Sequence, residues 1–150
     1  MTISPTSILS KKVLAFIQSQ TVITLCVCDN NLPYTAMCYY VYLPEENIIV
    51  FKSKRETTHM NAALKNSLVA GAVRQDKLLS TNVVGVQLTG MLLTNNNSSL
   101  LSVATRKYYM KYPFAVAVSG DIWMIRPDAI KYTENKMGIM GKEEYRLIAE

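Results

Sequence analysis

Apolar and β-branched residues come in short runs along this chain, and polar turn signals separate them. Leu9, Val13, Phe16 and Ile17 recur at helical spacing behind Ser4-Pro5, a cap followed by proline, and predict a leading helix over residues 5–19. Thr21 to Cys28 and Pro33 to Leu43 read as strands joined by Asp29-Asn30-Asn31, and Pro44 to Asn47 turns the chain into a third strand at Ile48 to Phe51. The chain then becomes abruptly polar from Lys52 to Arg55. Thr57 and Thr58 are placed to cap a short helix through Met60, Ala62, Ala63 and Leu64, which Asn66 can close. Ser67 to Val73 reads as the next strand, and Arg74 to Asn82 as a polar loop. Val83 to Thr94 is a long strand whose Gly85 and Gly90 mark a bend or bulge.

After a turn at residues 95–97, Ser98 and Ser99 open a helix with Leu100, Leu101, Ala104 and Tyr108 on its apolar side, ended by Pro113. Phe114 to Val118 fits a short helix or a strand. Ile122 to Ile125 and Ala129 to Thr133 predict two strands around a turn at Arg126-Pro127-Asp128, and the tail from about residue 136 is weakly patterned. Six or seven strands with hairpin-length connections and three helices predict a mainly β fold with peripheral helices. The expected form is an antiparallel closed or split β-barrel, not a doubly wound sheet, in one domain over residues 1–150.

Composition narrows the function. At 49% apolar and 18% charged, the 150-residue chain is globular in character. No run approaches the roughly 18 apolar residues of a membrane helix. The N-terminal charges follow the apolar residues, the reverse of a secretory signal, so a cytoplasmic location is expected. A net charge of +5 suits an anionic ligand, while the scattering of the 16 lysines and arginines argues against nucleic-acid binding. Cys26, Cys28 and Cys38 are odd in number, which argues against a disulfide framework, and His59 is the only histidine, which leaves metal binding poorly supported.

Chemistry done by side chains is poorly supported as well. There is no pattern of nucleophile, base and acid, no glycine-rich phosphate loop, and no carboxylate pair on an apolar strand. What stands out is the strand end at Ser53, with Lys52, Lys54, Arg55, Thr57, Thr58 and His59 leading into a helix. Hydroxyls, cations and free N–H groups converge there, as a phosphate monoester requires. A bound cofactor would then carry the reaction.

The order of segments TVITLCVC, PYTAMCYYVYLPEENIIVFKSKRETTH, NSLVAGAV and VVGVQLTG resembles the pyridoxamine phosphate oxidase-like, FMN-binding split barrels. It is most similar to a small bacterial branch of that superfamily. There a GVQ-x-x-G strand, a helix running into Arg-Lys-x-Tyr and a tail like IKYTEN follow in this order. The resemblance implies a homodimer with FMN at the subunit interface. Carried over by position, Ser53 takes the family's strand hydroxyl, Thr57 its serine, Thr58 its arginine and His59 its lysine. An oxidase arginine falls on Met37 and a lysine on Tyr42. Met37, Cys38 and Tyr39 are expected along the isoalloxazine ring, with Gly85 and Gln87 reaching it from the other subunit. Because those cations are lost, pyridoxamine phosphate oxidation itself is not expected; Lys52, Lys54 and Arg55 are candidates to replace the charge.

The expected activity is therefore that of an FMN-dependent oxidoreductase taking electrons from a reduced nicotinamide or a small organic donor. The alternative is a non-enzymatic binding module for haem or a nucleotide in the barrel cleft.

Overall fold

The computed structural model describes residues 9–78, 81–94 and 97–147. Its strands are β1 (Val22–Asp29), β2 (Leu32–Leu43), β3 (Ile48–Ser53), β4 (Leu68–Arg74), β5 (Asn82–Leu92), β6 (Asp121–Lys136) and β7 (Ile139–Arg146). Its helices are α1 (Lys11–Ser19), α2 (Thr58–Lys65) and α3 (Ser98–Lys111). All seven strands form one sheet in the order β3-β2-β1-β4-β5-β6-β7, and β3 also pairs with β6, so the first six close into a barrel. Every pairing is antiparallel. The expected split β-barrel is therefore the observed fold.

Local rules explain the elements. The β1–β2 turn places Asn30 and Asn31 at φ 51° and 63°, the left-handed pair whose twist matches a two-residue hairpin. Alternation along β2 and β3 sends Tyr40, Tyr42, Ile49 and Phe51 into the barrel, where α1 and α2 pack on the same core. The opposite side of these strands, with Leu43, Ile48 and Val50, is covered by α3 through Ala104 and Tyr108. Among the described residues, no helix covers the outer face of β1, β4, β5 and the first half of β2, where Met37, Leu68 and Met91 are exposed.

Several boundaries differ from the expectations. The leading helix starts at Lys11, capped by Ser10, whose Oγ accepts from Val13 N at 3.3 Å; Ser4-Pro5 lies outside the described residues. Asn97, not Ser98 or Ser99, caps α3, its Oδ1 accepting from the N–H groups of Ser99 and Leu100. Phe114 to Val118 lies largely within a 3-10 segment, Pro113–Ala117.

The two expected strands around Pro127 are one strand, β6. Pro127 sits opposite Gly90, where the β5–β6 register shifts, so its missing N–H interrupts no regular ladder. The tail from 136 is not a loose end: β7 pairs along β6, and Leu147 N donates to Asp128 O at 2.7 Å.

Candidate functional site

β3 delivers Ser53 to the end of the barrel, and the chain turns straight into α2. Thr57 is the N-cap of that helix: its Oγ1 accepts from Met60 N at 3.3 Å and donates to Lys54 O at 2.8 Å. His59, on the first turn, points back at the strand. Its Nε2 lies 2.6 Å from Ser53 Oγ and 3.4 Å from Thr57 Oγ1. Three of the sequence-predicted residues thus meet at one point. Burial pushes the His59 pKa below its usual 6.5, so the ring is neutral at pH 7. Thr58, Lys54 and Arg55 are exposed around this corner, as is Glu56 of opposite charge. In the first helical turn Thr57 takes the N–H groups of Met60 and Asn61, which leaves those of Thr58 and His59 without an intrahelical acceptor. The Ser53 and Thr58 hydroxyls, the N–H groups of Thr58 and His59 and two exposed cations form a donor set that fits a phosphate monoester.

Other expected residues lie elsewhere. Lys52 alternates to the opposite face from Ser53, where its Nζ donates to Ala115 O at 2.8 Å and to Val118 O and sits 4.9 Å from the Tyr109 ring. It ties down the 3-10 segment and does not reach the corner. Cys38 points into the core, with its thiol pushed up to about 11 by burial, while Met37 and Tyr39 point outward, 77% and 47% exposed. A ring lying on Met37 and Tyr39 would therefore not touch the Cys38 side chain. Tyr39 stacks obliquely on Tyr112 and edge-on against Phe114, at 5.2 and 5.6 Å. Tyr42, where an oxidase lysine was expected to fall, is buried and donates to Asn47 Oδ1.

Gln87 is exposed in a cross-strand row with Ala72, Thr24 and Met37. Three strand spacings, roughly 14 Å, separate Met37 from Gln87, so the two do not bracket one ring within a chain.

One neighbour of the corner is invisible to sequence reasoning. Trp123 enters from β6 and donates its indole N–H to Ser53 O at 2.9 Å, and the Arg55 guanidinium lies 5.7 Å from its ring. Only the β3–β6 pairing, which sets Phe51 against Trp123 and Ser53 against Asp121, brings this tryptophan to the site. Among the described residues no cluster of three His, Cys, Asp or Glu side chains could hold a metal ion, and no helix is long and apolar enough to cross a membrane.

Barrel closure by β3 and β6, with α2 set at the barrel end, defines a split β-barrel. Solved structures agree on the fold. An FAD-binding protein from Mesorhizobium loti superposes with TM-score 0.69 at 13% identity, over 85% of this chain and 96% of that one. A heme binding protein from Mycobacterium smegmatis gives TM-score 0.71 at 16% identity, over 85% and 54%. No family model matches the chain. A UPF0306 protein of Cronobacter sakazakii is 31% identical over 135 residues, covering 90% of this chain and 92% of that one. The chain belongs to the UPF0306 family.

Proposed function

We propose that this protein is a cytoplasmic flavoprotein that holds the phosphate of FMN in the corner formed by Ser53, Thr57, Thr58 and His59, with Lys54 and Arg55 closing over it. The observation that carries this reading is the convergence of Ser53 and Thr57 on His59 at the first turn of α2. Names borne by proteins of the same fold support a flavin: FAD-binding proteins of Mesorhizobium loti and Mycobacterium smegmatis are among them. Bound FMN would supply electron transfer, from a reduced nicotinamide or a small organic donor. The chain's own part is to anchor the phosphate.

The site is completed by a second copy of the chain. The uncovered outer sheet face exposes Met37, Tyr39, Leu68 and Met91, an apolar surface suited to a homodimer interface. Three free cysteines agree with a reducing compartment. A haem module is disfavoured, because the only imidazole already lies 2.6 Å from Ser53 Oγ.

Titration with FMN tests the proposal. At about 100 times its Kd, FMN should stabilise the fold by roughly 2.7 kcal/mol and raise Tm by about 5–11 °C, whereas riboflavin, which lacks the phosphate, should bind at least ~10-fold more weakly. Light scattering on the same samples should give two chains per particle. No FMN-dependent change in Tm sinks the proposal.

The affinity should also depend on pH. A bound phosphate favours the protonated His59 ring and raises the pKa that burial lowers, so the complex takes up a proton. FMN affinity should therefore rise as pH falls from 8 towards about 6.5, above the phosphate's own second pKa of about 6. His59→Gln should flatten this profile; a flat wild-type profile would remove His59 from the site.

A further inference from the structure

β5 and β6 stay paired as far as Leu92 and Ile125, and Leu93 N still donates to Met124 O at 2.9 Å. Beyond that point β5 leaves. β6 continues towards Asp121 with β3 on one side and, among the described residues, no strand on the other. A cavity of about 470 Å³ opens in this fork, within the ~300–1,000 Å³ range of small-molecule sites. It is lined by Trp123, Leu101, Thr94, Thr105, Asp121 and Arg55.

Three features point to its ligand. The cavity begins where the phosphate corner ends: Trp123 donates to Ser53 O, Asp121 pairs with Ser53, and Arg55 belongs to both. Its two charged groups, Arg55 and Asp121, form no ion pair among the described residues. Finally, its wall combines an indole with a strand edge whose backbone N–H and C=O groups lack a ladder partner, the pairing of an apolar surface with hydrogen-bonding groups that a purine uses.

We infer that this fork is a subsite for the adenosine phosphate half of a flavin dinucleotide, so that the cofactor which fills the protein is FAD. The inference rests on the flavin reading above. The first phosphate sits at Ser53 and His59, and the second meets Arg55. The ribose hydroxyls donate to the Asp121 carboxylate, and the base packs against Trp123 with its polar edge towards β6. A carboxylate at the ribose accepts hydroxyls and repels a 2′-phosphate, so ADP is accepted and adenosine 2′,5′-diphosphate rejected.

Trp123 is the only tryptophan of the chain, so its emission reports this cavity directly. The wild-type protein is titrated with FMN, FAD, ADP and adenosine 2′,5′-diphosphate. FAD should bind at least about tenfold more tightly than FMN, a difference of about 1.4 kcal/mol. ADP should quench Trp123 and be displaced by FAD, and adenosine 2′,5′-diphosphate should leave the emission unchanged. Asp121→Asn, at an exposed position, should weaken FAD and ADP several-fold while leaving FMN as in wild type. FMN and FAD of equal affinity, together with an ADP titration that leaves Trp123 emission flat, overturn the subsite and spare the FMN proposal. ADP quenching without binding of either flavin overturns both.

Discussion

Replacing Gly90 by alanine is expected to lower the unfolding free energy by about 3 kcal/mol and Tm by roughly 6–12 °C. A Cβ at this position would lie 2.5 Å from Arg126 O and 3.0 Å from Pro127 Cα, and both obstacles are backbone. They belong to the one place where β5 and β6 shift register, so relief would require moving the bulge that lets β6 accommodate its proline. Gly71 provides the comparison. Its added Cβ would meet the side-chain end of Ile23 at 2.7 Å and of Leu88 at 3.3 Å, and both can rotate. Gly71→Ala should cost about 1 kcal/mol. Urea unfolding of the two variants in parallel decides the matter: equal losses would show that Gly90 is not held by its backbone neighbours.

Lys111→Met should cost about 2–4 kcal/mol. From the last turn of α3, Lys111 Nζ donates to Gln18 O at 3.2 Å, Gln20 O at 2.6 Å and Tyr40 O at 3.4 Å, and it faces the rings of Tyr40 and Tyr112 at 5.1 and 5.4 Å. The ammonium therefore satisfies carbonyls at the C-terminal end of α1 and joins that helix to β2 and α3. Hydrogen bonds to a charged donor contribute roughly 1.5–3 kcal/mol each. Burial lowers the lysine's pKa, so desolvation offsets part of that sum. Methionine keeps the stem's packing and removes only the charge. A variant within about 0.5 kcal/mol of wild type by thermal unfolding would mean that the three carbonyls are equally content with water.

Much of the barrel could be read in advance because each of its strands is also a local pattern. Asn30-Asn31, Pro44 to Asn47 and Gly90 mark turns and a bulge through their own conformational preferences, and each stands where it was expected. Pro127 misled for the same reason. Locally it signals a turn, and only the bulge opposite Gly90, more than 30 residues earlier, makes it tolerable inside a strand. β7 escaped notice because it is an edge strand on the barrel's outside. Ile139 and Met140 remain exposed, and the half-buried alternate positions are Gly141, Glu143 and Tyr145, so the buried side leaves no apolar period in the sequence.

The candidate site divides along the same line. Ser53, Thr57 and His59 lie within seven residues of each other, and their meeting follows from a strand end feeding a capped helix. Alternation alone would have set Cys38 apart from Met37 and Tyr39, and Lys52 apart from Ser53. The carbonyls that hold Lys52 could not be foreseen, since they come from residues 63 and 66 positions away. Trp123 and Asp121 are more distant still and become neighbours of Ser53 only through barrel closure.

That closure has a consequence for how the chain is made. β3 is complete by residue 53, yet its second partner does not begin until residue 121. On the ribosome, the emerging protein carries β3 as an open sheet border from residue 53 and β5 as a second from residue 92, both until residue 121, and either can recruit a stray strand. β6 seals both at once, because it pairs with β5 along one side and β3 along the other.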